Sequence, residues 1–176
     1  MHLIGKIILC ALLLLLVVVG LVVADVLQYR VNITASLPRG IYKITHESIA
    51  PGVIVEECLP LEFVVLGKER GYLQEGGCPG NAMPILKYVV GIEGDEIELT
   101  DTYVAVNGRL IFNSETRKTD SNGRAMPVYP RGKFTLSAGE VFLLATHNEK
   151  SWDSRYMGPA KITNVTATLR PVLTEG

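Results

Sequence analysis

Neither sign of charge is in excess in this 176-residue chain: 17 Lys and Arg stand against 18 Asp and Glu, a formal net charge of -1, and only 20% of residues are charged. A phosphate backbone is held by clustered cations, and no such cluster stands out along the chain, so nucleic acid is not expected as a partner. Cysteine is scarce, with three in all, and none belongs to a CxxC pair or a nearby Cys/His set. No metal site is therefore expected, and without a phosphate-cradling glycine loop no cofactor is implied. There is no internal repeat, low-complexity tract or Pro/Ser-rich linker. The length suits one domain with one appendage.

Hydrophobic residues make up 48% of the chain but are unevenly spread. Ile7 to Ala24 forms a run of 18 residues without charge or proline, bracketed by Lys6 and Asp25. As a helix the run spans about 27 Å, close to the thickness of a hydrocarbon core and long for a signal-peptide apolar region. A retained membrane anchor over residues 1–25 is the expectation. The competing reading is a cleaved signal peptide, with Val22-Val23-Ala24 offering a small residue before Asp25. Lys6 and the amino terminus favour the cytoplasmic side, which puts residues 26–176 outside the cytoplasm. Cys10 lies in the apolar run, leaving Cys58 and Cys78 as the one remaining pair. In an oxidising compartment they form a disulfide; otherwise they are two buried thiols.

Residues 26–176 read as mainly antiparallel β. Tyr103-Val104-Ala105-Val106, Asn107-Gly108 and Arg109-Leu110-Ile111-Phe112 predict a hairpin, because both central residues of a type I′ turn need positive φ. Further strands are expected over Gly40–Ile44, Val53–Glu57, Leu86–Ile92, Glu96–Leu99, Glu140–Leu144 and Asn164–Leu173. Leu61–Arg70 is open between helix and strand. Residues 113–138 are polar and read as a surface loop.

Three segments carry candidate chemistry. Ser36 sits in Asn32-Ile33-Thr34-Ala35-Ser36-Leu37-Pro38, an irregular turn; 11 residues after Asp25, it cannot lie more than about 36 Å from the membrane face. Lys87 interrupts the apolar strand Pro84-Ile85-Leu86-Lys87-Tyr88-Val89-Val90-Gly91. It either reaches water at a strand edge or is buried, which lowers its pKa and makes it a base able to deprotonate a serine. Ser151-Trp152-Asp153-Ser154-Arg155 supplies polar groups, with Ser151 or Ser154 able to orient the lysine amine and Asp153 able to pair with Arg155. A Ser/His/Asp arrangement using His46 or His147 with Asp153 lacks a nucleophile-elbow signature. A non-catalytic anchored β domain binding pilus or secretion components is the alternative from another class.

Together the three segments resemble type I signal peptidases, and in particular TraF-type conjugative transfer peptidases. The Ser36 turn with Pro38, Gly40 and Tyr42 resembles the nucleophile region. Leu86 to Asp95 resembles the lysine strand and its Gly-Asp turn, and Ser151 to Gly158 resembles the Ser-x-Asp-Ser-Arg box. Gly71-Tyr72 and Cys78-Pro79 also resemble the conjugative subgroup. Tyr88 stands where many signal peptidases have arginine, and Thr146-His147-Asn148-Glu149 replaces a Gly-Asp-Asn-Arg run; both departures favour that subgroup over a general secretory peptidase.

The resemblance implies a signal-peptidase-like β domain behind one transmembrane helix in a bacterial inner membrane, with its active site in the periplasm. It implies Ser36 as nucleophile, Lys87 as general base, the Ser36 N–H and Thr34 hydroxyl as oxyanion donors, and Ser151, Asp153 and Arg155 as support. The substrate it implies is a precursor protein, a pilin, cut or cyclised beside the membrane. The sequons Asn32-Ile33-Thr34 and Asn164-Val165-Thr166 are then chance matches.

Overall fold

The computed structural model describes residues 2–175; the side chains of residues 2, 3 and 24–26, including the Ala24 and Asp25 of the cleavage and charge-flank readings, lie outside the described residues. Helix α1 (His2–Val26) carries an apolar stretch, Ile4–Val23, that packs against nothing and is long and apolar enough to cross a membrane. It fits a membrane anchor or a signal sequence.

Beyond α1 the chain is mainly antiparallel β. The strands are β1 (Tyr29–Asn32), β2 (Gly40–Thr45), β3 (Ile54–Glu57), β4 (Ile85–Gly91), β5 (Glu96–Leu99), β6 (Val104–Val106), β7 (Arg109–Ile111), β8 (Gly132–Thr135), β9 (Glu140–Leu144), β10 (Ala160–Lys161) and β11 (Val165–Thr174). Two short helices interrupt them, α2 (Leu61–Glu69) and α3 (Ser154–Met157). One curled sheet runs β1-β2-β11-β3-β4-β9-β10 and a smaller one runs β7-β6-β5-β8. The hairpin forms as expected, with Asn107 at φ 50° and Gly108 at φ 77°.

Leu61–Arg70 resolves as helix. Pro60 enters it at φ -55°, suited to a first turn whose N–H groups have no partners, and Val64 is buried with Leu59, Ala82 and Trp152. That packing outweighs the strand preference of Phe63-Val64-Val65. The expected loop over 113–138 is corrected in part: β8 lies inside it, paired to β5. Gly132-Lys133-Phe134-Thr135 has no apolar run, so its signal is a partner strand that only the fold brings. β1, β10 and α3 are likewise too short to leave a pattern.

Apolar residues on the two faces of the large sheet build separate cores. Leu37, Tyr42, Ile54, Leu86 and Leu169 fill one face, and Val55, Val89, Val141 and Leu143 the other. Leu37 is fully buried beside Ser36, an anchor worth roughly 1.5 to 3 kcal/mol.

Cys58 and Cys78 are bonded, with Cα atoms 5.5 Å apart. The bridge ties the end of β3 to the segment after α2. Closing a loop of 20 residues contributes about 3 kcal/mol. The Cys58→Ser/Cys78→Ser chain is accordingly expected to melt roughly 6 to 12 °C lower, read by circular dichroism; an unchanged Tm contradicts this role.

Candidate active site

The turn between β1 and β2 is fixed from below. Asn32 is buried, and its Nδ2 donates to the carbonyls of Thr34, Leu37 and Pro38, at 3.1 Å each. Its Oδ1 accepts from the Thr34 N–H at 3.1 Å and the Thr34 hydroxyl at 2.8 Å. The buried Tyr42 hydroxyl donates to the Pro38 carbonyl at 2.6 Å. With Leu37 pulled into the core, Ser36 is left half-buried at the lip of a cleft of about 450 Å³. Asn32 is the residue that sequence reading missed: a lone Asn in a turn signals only local bonding, and its burial is tertiary.

Lys87 points from β4 into the same cleft at 2% exposure, so it is a buried lysine and not an edge one. Its Nζ donates to Ser151 Oγ at 3.0 Å, and Ser151 Oγ donates to Ser36 Oγ at 3.1 Å. Lys87, Ser151 and Ser36 thus form one hydrogen-bonded chain, with Ser151 between the other two. Burial lowers the Lys87 pKa to about 8, against the pull of Asp153 and Glu57, while Arg155 pushes it further down. A substantial fraction of the amine is neutral near pH 8.

Ser151 is placed by a charged clamp. Asp153 and Arg155 are both 0% exposed. Arg155 donates from Nε to Asp153 Oδ1 at 2.8 Å and from Nη2 to Oδ2 at 2.9 Å, and Nη2 also donates to the Ser151 carbonyl at 3.1 Å. Asp153 further accepts from the Ala145 N–H at 3.1 Å, and Arg155 Nη1 donates to the Glu115 carbonyl at 2.7 Å. A two-point pair this deep keeps its geometry because every partner is bonded. Ser154, the other serine weighed for the lysine, instead accepts from the Leu143 N–H at 3.0 Å. Gly158 closes α3 at φ 78°, where an added Cβ would strike the Tyr129 ring.

Asp153 is committed to Arg155 and Ala145, and neither His46 nor His147 lines the cleft, so no Ser/His/Asp arrangement is assembled among the described residues. The far wall of the cleft is tied by Tyr72, whose hydroxyl donates to Asp120 Oδ2 at 2.5 Å, and by Arg124, whose Nε donates to the same atom at 2.6 Å. Arg70 Nη1 donates across to the Ala125 carbonyl at 2.8 Å. Trp152 Nε1 is the one buried side-chain polar atom without a partner among the described residues.

A serine hydroxyl linked to a buried lysine, on a β scaffold behind an apolar helix, is what a serine peptidase that works without histidine needs. Residues 1–173 match the family described as signal peptidase, peptidase S26. The chain belongs to this signal peptidase family. Relatives of this signal peptidase family member include the plasmid transfer protein TraF of Escherichia coli, 38% identical over 146 residues that cover 82% of each chain. The conjugal transfer protein TraF of Agrobacterium fabrum is 34% identical over 149 residues, 83% of this chain and 82% of that one. A solved signal peptidase I from Enterococcus faecalis aligns at 20% identity with a TM-score of 0.43, over 72% of this chain and 100% of that one.

Proposed function

We propose that this chain is a membrane-anchored serine endopeptidase that cuts a precursor protein, a pilin, at the periplasmic face of the inner membrane during conjugative transfer. The observation that carries this reading is the hydrogen-bonded chain from Lys87 Nζ through Ser151 Oγ to Ser36 Oγ. Ser36 Oγ attacks the scissile carbonyl, and its proton passes by way of Ser151 to the neutral Lys87 amine. The Ser36 N–H donates to no described residue, which suits an oxyanion donor. The Thr34 hydroxyl joins it by exchanging its bond to Asn32 for one to the developing charge. Lys87 then returns the proton to the leaving amine, and water or another amine releases the acyl group.

Work at the bilayer surface is supported by a row of exposed apolar residues beside the Ser36 turn. Val31 pairs with Ile41 and Ile41 with Leu173 across β1, β2 and β11, and Ile33 is exposed next to them. The relatives' names, a plasmid transfer protein and a conjugal transfer protein, support the setting. An anchor over residues 1–25 and a peptidase domain over 26–176 are supported by the apolar helix and by Lys6 on its amino-terminal flank.

The test is incubation of the detergent-solubilised chain with a membrane-embedded pilin precursor, read by intact mass. Two hydrolysis fragments are expected. A product one water lighter than its hydrolysed form indicates instead that the pilin's own amine attacks the acyl-enzyme. An uncut precursor, alongside cleavage of other signal-peptide-bearing proteins, moves the substrate to the general secretory class.

A further inference from the structure

Two buried carboxyls, Asp153 and Glu57, lie near Lys87, and only Asp153 has a partner in the site described above. Asp153 is matched by Arg155 at two points, so those two carry no net charge between them. What remains is Glu57, 3% exposed on β3. Antiparallel pairing sets Val55 opposite Lys87 and Glu57 opposite Ile85. Residues two apart on a strand share a face, so Glu57 and Lys87 are diagonal neighbours on one face of the β3–β4 pair, about 7 Å apart in such a register.

No ion pair closes between them, since the Lys87 Nζ is turned to Ser151, and the Glu57 carboxyl accepts no hydrogen bond from a described residue. Burying an unbonded carboxylate is costly, and no local bond offsets that cost. Its effect falls on the base. Burial raises the Glu57 pKa to about 7, the Lys87 ammonium draws it down, and Asp153 adds to the rise. Besides these two, the charged groups facing the pair are Asp153 and Arg155. Val165, opposite Glu57 on β11, and Val55, opposite Lys87, carry no charge.

We propose that Glu57 is a positioning residue for Lys87: its carboxylate, buried on the same face of the β3–β4 pair, sets how tightly the Lys87 amine holds its proton. Beside the carboxylate the ammonium is favoured, and the free amine that accepts the Ser36 proton forms as Lys87 titrates next to that fixed negative charge. The role assigned to Glu57 rests on the Ser36/Lys87 reading above.

The experiment follows Lys87 itself, in the full chain in detergent, by the pH titration of an isotope-labelled lysine ε-carbon signal assigned through its loss in Lys87→Met. In Glu57→Gln the midpoint is expected to fall by roughly half to one pH unit, because the neighbouring negative charge is gone. The acid limb of the cleavage profile moves with it. Glu57→Asp keeps the charge and holds the midpoint near the wild-type value. An unmoved midpoint in Glu57→Gln, or an equal fall in Glu57→Asp, overturns this role.

Glu57→Met provides a second neutral variant. If neither neutral variant folds, the carboxyl is structural and the role is equally lost. Failure of the Ser36/Lys87 reading shows separately, as undiminished cleavage by Ser36→Ala while the Lys87 midpoint still shifts.

Discussion

Ser36→Ala and Lys87→Met each lower the cleavage rate by at least about 10³-fold, and the double variant is no slower than either single one. In the proposed reaction nucleophile and base act in one step, so removing the second after the first has little left to remove. The residual rate comes from the oxyanion donors and substrate positioning alone. The same two variants are expected to differ in stability. Lys87 has its folded pKa lowered from 10.5 to about 8, so the unfolded chain binds the extra proton more tightly. The penalty is present in full below pH 8 and fades as pH rises from about 8 to 10.5. Lys87→Met removes the buried ammonium while keeping the volume, so its stability loses the rise that the wild type shows between about pH 8 and 10.5. Ser36→Ala leaves stability nearly unchanged. Rate assays and thermal melts on the same preparations check both halves; a folded variant of either kind that still cleaves at the wild-type rate removes the dyad.

Asp153→Asn carries the largest expected loss of stability. It leaves the Arg155 guanidinium, 0% exposed, without its carboxylate, and breaking a buried pair on one side costs about 3 to 5 kcal/mol. For a chain of this size the Tm falls by about 10 °C. Activity falls as well, because Arg155 also holds the Ser151 carbonyl, and a displaced Ser151 breaks the link between Lys87 and Ser36. Asp153→Asn/Arg155→Met, which removes both charges, recovers much of the Tm without recovering activity. Differential scanning calorimetry beside the cleavage assay separates the two effects, and a Tm within about 2 °C of wild type for Asp153→Asn contradicts the clamp.

Residue order carried much of this. The apolar run near the amino terminus, the Asn107-Gly108 turn and the β-branched segments each owe their form to neighbours a few positions away, and such patterns survive in one dimension. Ser36, Lys87 and the Ser151-to-Arg155 segment could be singled out because a lysine in an apolar strand and a dense polar box are locally unusual. β8 could not, since its partner β5 lies more than 30 residues upstream and its own residues are polar. α2 stayed open for the same reason: the Trp152 and Leu59 that stabilise it are brought by the fold.

By itself, then, the sequence determined the apolar helix, the antiparallel β character and the residue types available for a serine–lysine chemistry, because these depend on short-range sterics and on composition. Tertiary structure alone decided that Ser151 stands between Lys87 and Ser36, that Asn32 pins the Ser36 turn, and that Glu57 shares a buried face with Lys87. Those relations join residues up to 115 positions apart. Distance and burial set both the hydrogen bonds and the proton affinities, and both are properties of the packed chain.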